Sequence, residues 1–196
     1  TAENNWLPDY TKIKPEVAAA AKLLYLNYPN NPTTAVATPE FYDETIAFAK
    51  AQQIGIVSDF AYGALGFDGQ RPVSFLQQPG AKDVGIELYT LSKTYNMAGW
   101  RLAFAAGNAD MIEAINLIQD HLFVSVFPAI QEAGIEALLG DQTSVPALVD
   151  LYQQRRDAWF SATTAIGWHG KSSPGTFYAW MPVPAGYTSQ TFTELL

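Results

Sequence analysis

The chain has 196 residues, of which 48% are hydrophobic and 15% charged, with a net charge of −8 and no cysteine. That length suffices for one well-buried core, or for one domain and the beginning of another. The acidic balance argues against nucleic acid as the main partner, and the lack of cysteine excludes a disulfide scaffold, thiolate metal sites and a cysteine nucleophile.

Four short apolar runs in the first half read as strands: 23–27, 54–58, 86–90 and 102–106. They alternate little, as strands buried on both faces do. Between the first two, Thr38 caps a helix that Pro39 opens, with Phe41, Thr45, Phe48 and Gln52 at helical spacing. Strand, helix, strand predicts a right-handed parallel crossover. The stretch 60–85, punctuated by Gly63, Gly66, Gly69, Pro72, Pro79 and Gly80, reads as loop with at most a short helix. Asn108 caps a helix whose apolar face is Met111, Ile115, Ile118 and Leu122. Pro128 opens the next, and Gly140 ends it. A long helix over 144–165 aligns Leu148, Leu151, Tyr152, Arg155 and Trp159 on one side. Residues 176–181 read as a strand, and a last helix starts near Ser189. The change of pattern near residue 145 divides a sheet domain, 1–144, from the beginning of a smaller one, 145–196.

His121 and His169 lie far apart without metal-ligand spacing and read as structural or surface groups, so no metal site is expected. No apolar run reaches membrane-spanning length and no signal-peptide pattern opens the chain, so a cytoplasmic protein without a membrane partner is expected. The chain starts without Met and stops in what reads as the first turns of a helix. A fragment of a longer protein is expected.

The polar residues with chemistry to offer fall at one edge of the sheet. In open α/β sheets, ligands bind outside the carboxyl ends of parallel strands. Asn31 follows the first strand, Asp59 and Tyr62 the second, and Thr90, Ser92 and Lys93 the third. The link from Lys93 to Arg101 is too short for a parallel crossover, so the fourth strand should run antiparallel and begin at that same edge. Arg101 then joins the set. Singly, each residue has an ordinary reading as a loop, turn or surface group. Together they offer an amine able to capture an aldehyde, hydroxyls and a guanidinium suited to a phosphate, and a carboxylate that needs a cationic partner. Pyridoxal phosphate is a cofactor that needs all of these: Asp59 at its pyridinium nitrogen, Asn31 and Tyr62 at its phenolic oxygen.

These residues resemble the fold-type I pyridoxal-phosphate aminotransferases of class I/II, the aspartate aminotransferase family. The run from Tyr28 to Thr33 is similar to the family's Asn-Pro-Thr-Gly motif, Asp59 to Tyr62 to its Asp-x-x-Tyr motif, and Thr90 to Ala103 to its lysine signature. The resemblance implies an α/β fold. It would comprise the three-layer large-domain portion, a mostly parallel sheet with one antiparallel strand, and the start of a small α+β domain. It also implies that Lys93 is the catalytic lysine and proton carrier. An amino acid and a 2-oxo acid would be the substrates, and a homodimer the full-length assembly. Thr34 stands where the family usually has glycine, and Thr90 where it usually has serine, whose hydroxyl a threonine can replace. Members are about twice as long, so the fragment alone should not retain full activity. The same cofactor site would also serve a C–S β-lyase, or a cofactor-sensing domain in a transcription regulator.

Overall fold

A computed structural model describes residues 1–196. Two 3-10 turns (Ala2–Asn4 and Tyr10–Lys12) lead to α1 (Pro15–Ala20), β1 (Leu23–Asn27), α2 (Pro39–Gln52) and β2 (Gly55–Asp59). A loop with one 3-10 turn (Phe75–Gln77) and α3 (Ala81–Val84) returns to β3 (Gly85–Thr90). Then come α4 (Leu91–Thr94), a 3-10 turn (Ala98–Trp100), β4 (Ala103–Gly107), α5 (Ala109–Leu122), α6 (Pro128–Leu139), α7 (Ser144–Ala165) and α8 (Ser189–Thr193).

The four strands lie side by side in the order β1-β2-β3-β4. The first three are parallel, and β4 is antiparallel to β3, as the short Lys93–Arg101 link requires. The register sets Asn27 beside Asp59, Asp59 beside Leu88, and Thr90 beside Ala103. The carboxyl ends of β1–β3 and the start of β4 therefore share one rim.

α2 starts where Thr38 Oγ1 accepts the Phe41 N–H at 3.2 Å, and ends at Gln53, which is left-handed with φ 56°. Its buried residues Phe41, Tyr42, Thr45, Ile46 and Ala49 share one face and pack on Leu26, Ile56 and Phe75. Each large apolar side chain buried here contributes about 1.5–3 kcal/mol. α5 lies on the opposite side of the sheet, over β3 and β4. Helices on both faces make three layers.

Three expectations need correction. Burial on both faces fails at the two edge strands: Leu23 and Tyr25 of β1 are 62% and 60% exposed, and β4 has no buried residue, with Phe104 at 43%. The apolar face of α5 is only half covered, since Met111 and Ile115 are partly buried while Ile118 and Leu122 are exposed. Residues 176–181 form no strand, because a strand needs a continuously paired backbone and pairing here stops at the single bridge between Gly175 and Gly66. No helix is long and apolar enough to cross a membrane.

Candidate functional site

β2 ends in a carboxylate. Asp59 is half-buried on the α5-side face, its Oδ2 accepting the Tyr25 hydroxyl at 3.0 Å and its Oδ1 the Ala61 N–H at 3.3 Å. Asn27 closes β1 beside it. The Asn27 side chain donates to the Asp59 carbonyl oxygen at 3.0 Å and accepts the Asn31 N–H at 2.8 Å. One amide thus fixes both the strand end that carries Asp59 and the loop that carries Asn31.

Tyr62, buried to 4% exposure, sits at the centre of the rim. Lys93 Nζ lies 6.0 Å from its ring centroid. Burial raises the Tyr62 phenol well above the ordinary tyrosine range, helped by the Tyr178 hydroxyl and the Asp59 charge, while the nearby Asn31 amide partly offsets this. Tyr62 therefore remains a proton donor at neutral pH. Three of the expected residues, Asn31, Asp59 and Lys93, are brought together around the phenol of a fourth, Tyr62.

Thr90 ends β3 and caps α4. Its Oγ1 accepts the Ser92 N–H at 3.2 Å and donates to Ser92 Oγ at 2.9 Å. The antiparallel return brings residues 101–102 alongside, with the Leu91 N–H donating to the Leu102 carbonyl at 3.2 Å. Arg101 holds a left-handed backbone, φ 53°, and its guanidinium donates to the Ala98 carbonyl at 2.8 Å. It is exposed just before β4, at the same rim.

The ion pairs of the molecule join Lys12 to Asp9, Lys50 to Asp83, and Arg156 to Asp68 and Asp157. Asp59, Lys93 and Arg101 belong to none of them. A carboxylate, an ammonium and a guanidinium on one rim, each without an ionic partner, suit a ligand with a cationic nitrogen, an electrophilic carbon and a phosphate.

Three residues of this site escaped the sequence reading. Tyr25 and Asn27 lie inside β1 and look like ordinary strand residues, although their alternation with Leu26 placed them on one face together. Tyr178 is 116 residues from its partner Tyr62, and no local pattern signals that pairing. The substitution of Thr34 for glycine also has a structural consequence. Thr34 is buried and held at φ 64°, a region that a β-branched residue enters at a cost.

The family description "Aminotransferase class I and II" matches residues 1–196. The L-glutamine–4-(methylsulfanyl)-2-oxobutanoate aminotransferase of Bacillus subtilis is 61% identical over 191 residues, covering 97% of this chain and 48% of the relative. The LL-diaminopimelate aminotransferase of Moorella thermoacetica is 47% identical over 196 residues, covering 100% of this chain and 50% of the relative. Among solved structures, substrate-bound BacF from Bacillus subtilis superposes with a TM-score of 0.95 at 47% identity, over 100% of this chain and 50% of that one. The chain spans about half the length of the curated relatives it matches. It belongs to the class I and II aminotransferases, whose members use pyridoxal phosphate.

Proposed function

We propose that the protein carrying this chain is an amino-acid aminotransferase that moves an amino group from an amino acid to a 2-oxo acid with pyridoxal phosphate. The observation that carries this reading is the gathering of Asn31, Asp59 and Lys93 around Tyr62 at one sheet edge, with Arg101 at the start of β4 on the same rim and none of the three charged groups in an ion pair. The donor set suits the cofactor group by group. The Asp59 carboxylate would keep a proton on the pyridine nitrogen, Asn31 and Tyr62 would donate to the phenolic oxygen, and Thr90, Ser92 and Arg101 would hold the phosphate. When bound, pyridoxal phosphate supplies an electron sink for the charge left when an amino acid loses its Cα proton. Lys93 Nζ is the group that takes that proton and returns it. Tyr25, through its bond to Oδ2, keeps the Asp59 carboxylate turned to the same face of the sheet.

The relatives' names span glutamine, an oxobutanoate and LL-diaminopimelate as substrates. An amino acid and a 2-oxo acid are the substrate classes these names share. All these names are aminotransferases, which weighs against a C–S β-lyase or a cofactor-sensing regulator. The reading further takes residues 1–144 as part of the cofactor-binding domain and 145–196 as the start of the smaller one. A cytoplasmic homodimer without nucleic-acid or membrane partners completes it.

The test uses the full-length protein loaded with pyridoxal phosphate. Release of a 2-oxo acid from an amino acid should require an acceptor 2-oxo acid, and Lys93→Ala should lower turnover by about 100- to 10,000-fold. Release of keto acid and ammonia without an acceptor would favour elimination instead.

A further inference from the structure

Tyr178 lies outside every motif considered above, yet its hydroxyl oxygen is 3.1 Å from that of Tyr62. The two rings meet edge to face, with centroids 5.9 Å apart and planes at 74°. The Tyr178 hydroxyl has no other hydrogen-bond partner in the chain.

The backbone that presents Tyr178 is fastened to the loop that follows Tyr62. The Thr176 N–H donates to the Leu65 carbonyl at 2.9 Å, and the Phe67 N–H to the Pro174 carbonyl at 3.1 Å. Ser173 Oγ donates to the Tyr178 carbonyl at 2.8 Å, and the Tyr178 N–H to Thr176 Oγ1 at 3.2 Å. Between them Thr176 is fully buried at φ 66°, a strained state for a β-branched residue. Such strain persists only where the surroundings over-determine it, and these four bonds do so. The turn is built to a fixed shape, and its outcome is the position of the Tyr178 phenol.

A phenol has one proton and can accept through its oxygen. If Tyr62 donates its proton to Tyr178, the arrangement in which Tyr178 raises the Tyr62 phenol, none remains for a ligand. If Tyr178 donates instead, the Tyr62 proton is free for a second acceptor, and donation into its oxygen makes it a stronger donor. An anionic oxygen in the site selects the second arrangement. We propose that Tyr178 is a positioning residue whose hydroxyl donates to Tyr62 and so directs the single Tyr62 proton toward the phenolic oxygen of the cofactor. This inference rests on the reading that Tyr62 faces that oxygen. It gives the segment 173–178 a function in tuning the cofactor from outside the sheet.

The test follows the pH midpoint of the cofactor's visible absorbance in the loaded full-length protein, for wild type, Tyr62→Phe, Tyr178→Phe and the double variant. Tyr178→Phe removes one oxygen and keeps the ring contacts. The charged groups facing Tyr62, Asp59 and Lys93, stay in place in all four proteins. A donor on the ring oxygen favours the form in which that oxygen is most negative, the form that dominates at high pH, so losing it raises the midpoint. Tyr62→Phe should raise the midpoint, and Tyr178→Phe should raise it by roughly 0.5 unit. The double variant should match Tyr62→Phe alone, because Tyr178 acts only through Tyr62. An unmoved midpoint in Tyr178→Phe beside a shifted one in Tyr62→Phe overturns the inference and leaves the reading of Tyr62 intact. Additive shifts overturn it as well. No shift in Tyr62→Phe overturns both.

Discussion

The Asn27 side-chain nitrogen donates to the Asp59 carbonyl oxygen over 3.0 Å, which ties the carboxyl ends of β1 and β2 together beneath the site. Its side-chain oxygen holds the Asn31 N–H at 2.8 Å. Asn27→Ala breaks both bonds, and at about 1 kcal/mol each the loss should be about 1–3 kcal/mol of unfolding free energy. Because both Asp59 and Asn31 are released, affinity for pyridoxal phosphate should fall too. Urea unfolding and a cofactor titration read the two effects. A variant that is as stable and binds as tightly as wild type would contradict this role.

Thr34 makes an opposite prediction. Its φ of 64° costs about 1–2 kcal/mol for a residue with a Cβ, whereas glycine there costs about 0.5–1 kcal/mol in unfolded-chain entropy. Thr34→Gly should therefore stabilise the protein by up to about 1 kcal/mol. Thr34→Val keeps the branch and the strain, and should give no gain. Thermal unfolding midpoints of the two variants decide the matter; a lower midpoint for the glycine variant would show that the buried methyl and hydroxyl matter more.

Arg156 joins α7 to the loop after β2. Its side chain is 7% exposed, it grips both Asp68 oxygens at 2.7 Å, and it donates to the Ser173 carbonyl at 3.1 Å. The guanidinium also lies 4.9 Å from the Phe67 ring centroid. A lysine cannot reproduce the forked grip, so Arg156→Lys should cost about 1–3 kcal/mol, and Arg156→Ala somewhat more. Asp68 is held below the usual carboxylate range by Arg156. The stabilisation it provides is thus present above the unfolded carboxylate pKa and fades as pH falls through the lowered folded value. Denaturant midpoints of wild type and Arg156→Lys should converge in acid; a constant difference would contradict the pairing.

Glu87 behaves in the reverse sense. Burial raises its carboxyl, although Ser74 at 2.6 Å, the Phe75 N–H at 2.7 Å and Ser58 at 3.4 Å donate to it. A raised carboxyl contributes stability that is fully present below the unfolded pKa and is lost as pH rises through the folded value. Glu87→Gln keeps an acceptor and removes the titration. As pH rises from the unfolded carboxylate value through the raised folded one, wild type should lose stability relative to that variant, and parallel curves would rule out Glu87 as the titrating group.

Much of this architecture was legible in local chemistry. Thr38 with Pro39, Asn108, Pro128 with Gly140, and Ser189 marked helix ends because caps and breakers act over a few residues. The direction of β4 followed from chain length alone. What stayed hidden depended on distant partners. Residues 176–181 have strand composition, but a strand also needs a second backbone to bond. Tyr178 and Asn27 act through contacts whose meaning appears only when separate segments meet. Asn31, Asp59, Tyr62 and Lys93, each ordinary singly, stood out as a set because they follow successive strands and so fall at one sheet edge; the groups that hold them did not, because nothing in their local pattern marks them.

Borohydride reduction after loading with pyridoxal phosphate fixes the cofactor to whichever amine has captured its aldehyde, and peptide mass mapping then locates it. Run on the full-length protein, this measurement bears most directly on the convergence of Asn31, Asp59, Tyr62, Lys93 and Arg101 at one rim. The pyridoxyl group should be found on Lys93 and be lost from that peptide in Lys93→Ala. Labelling of Lys12, Lys14, Lys22, Lys50, Lys82 or Lys171 in its place, or no saturable labelling, would contradict the account.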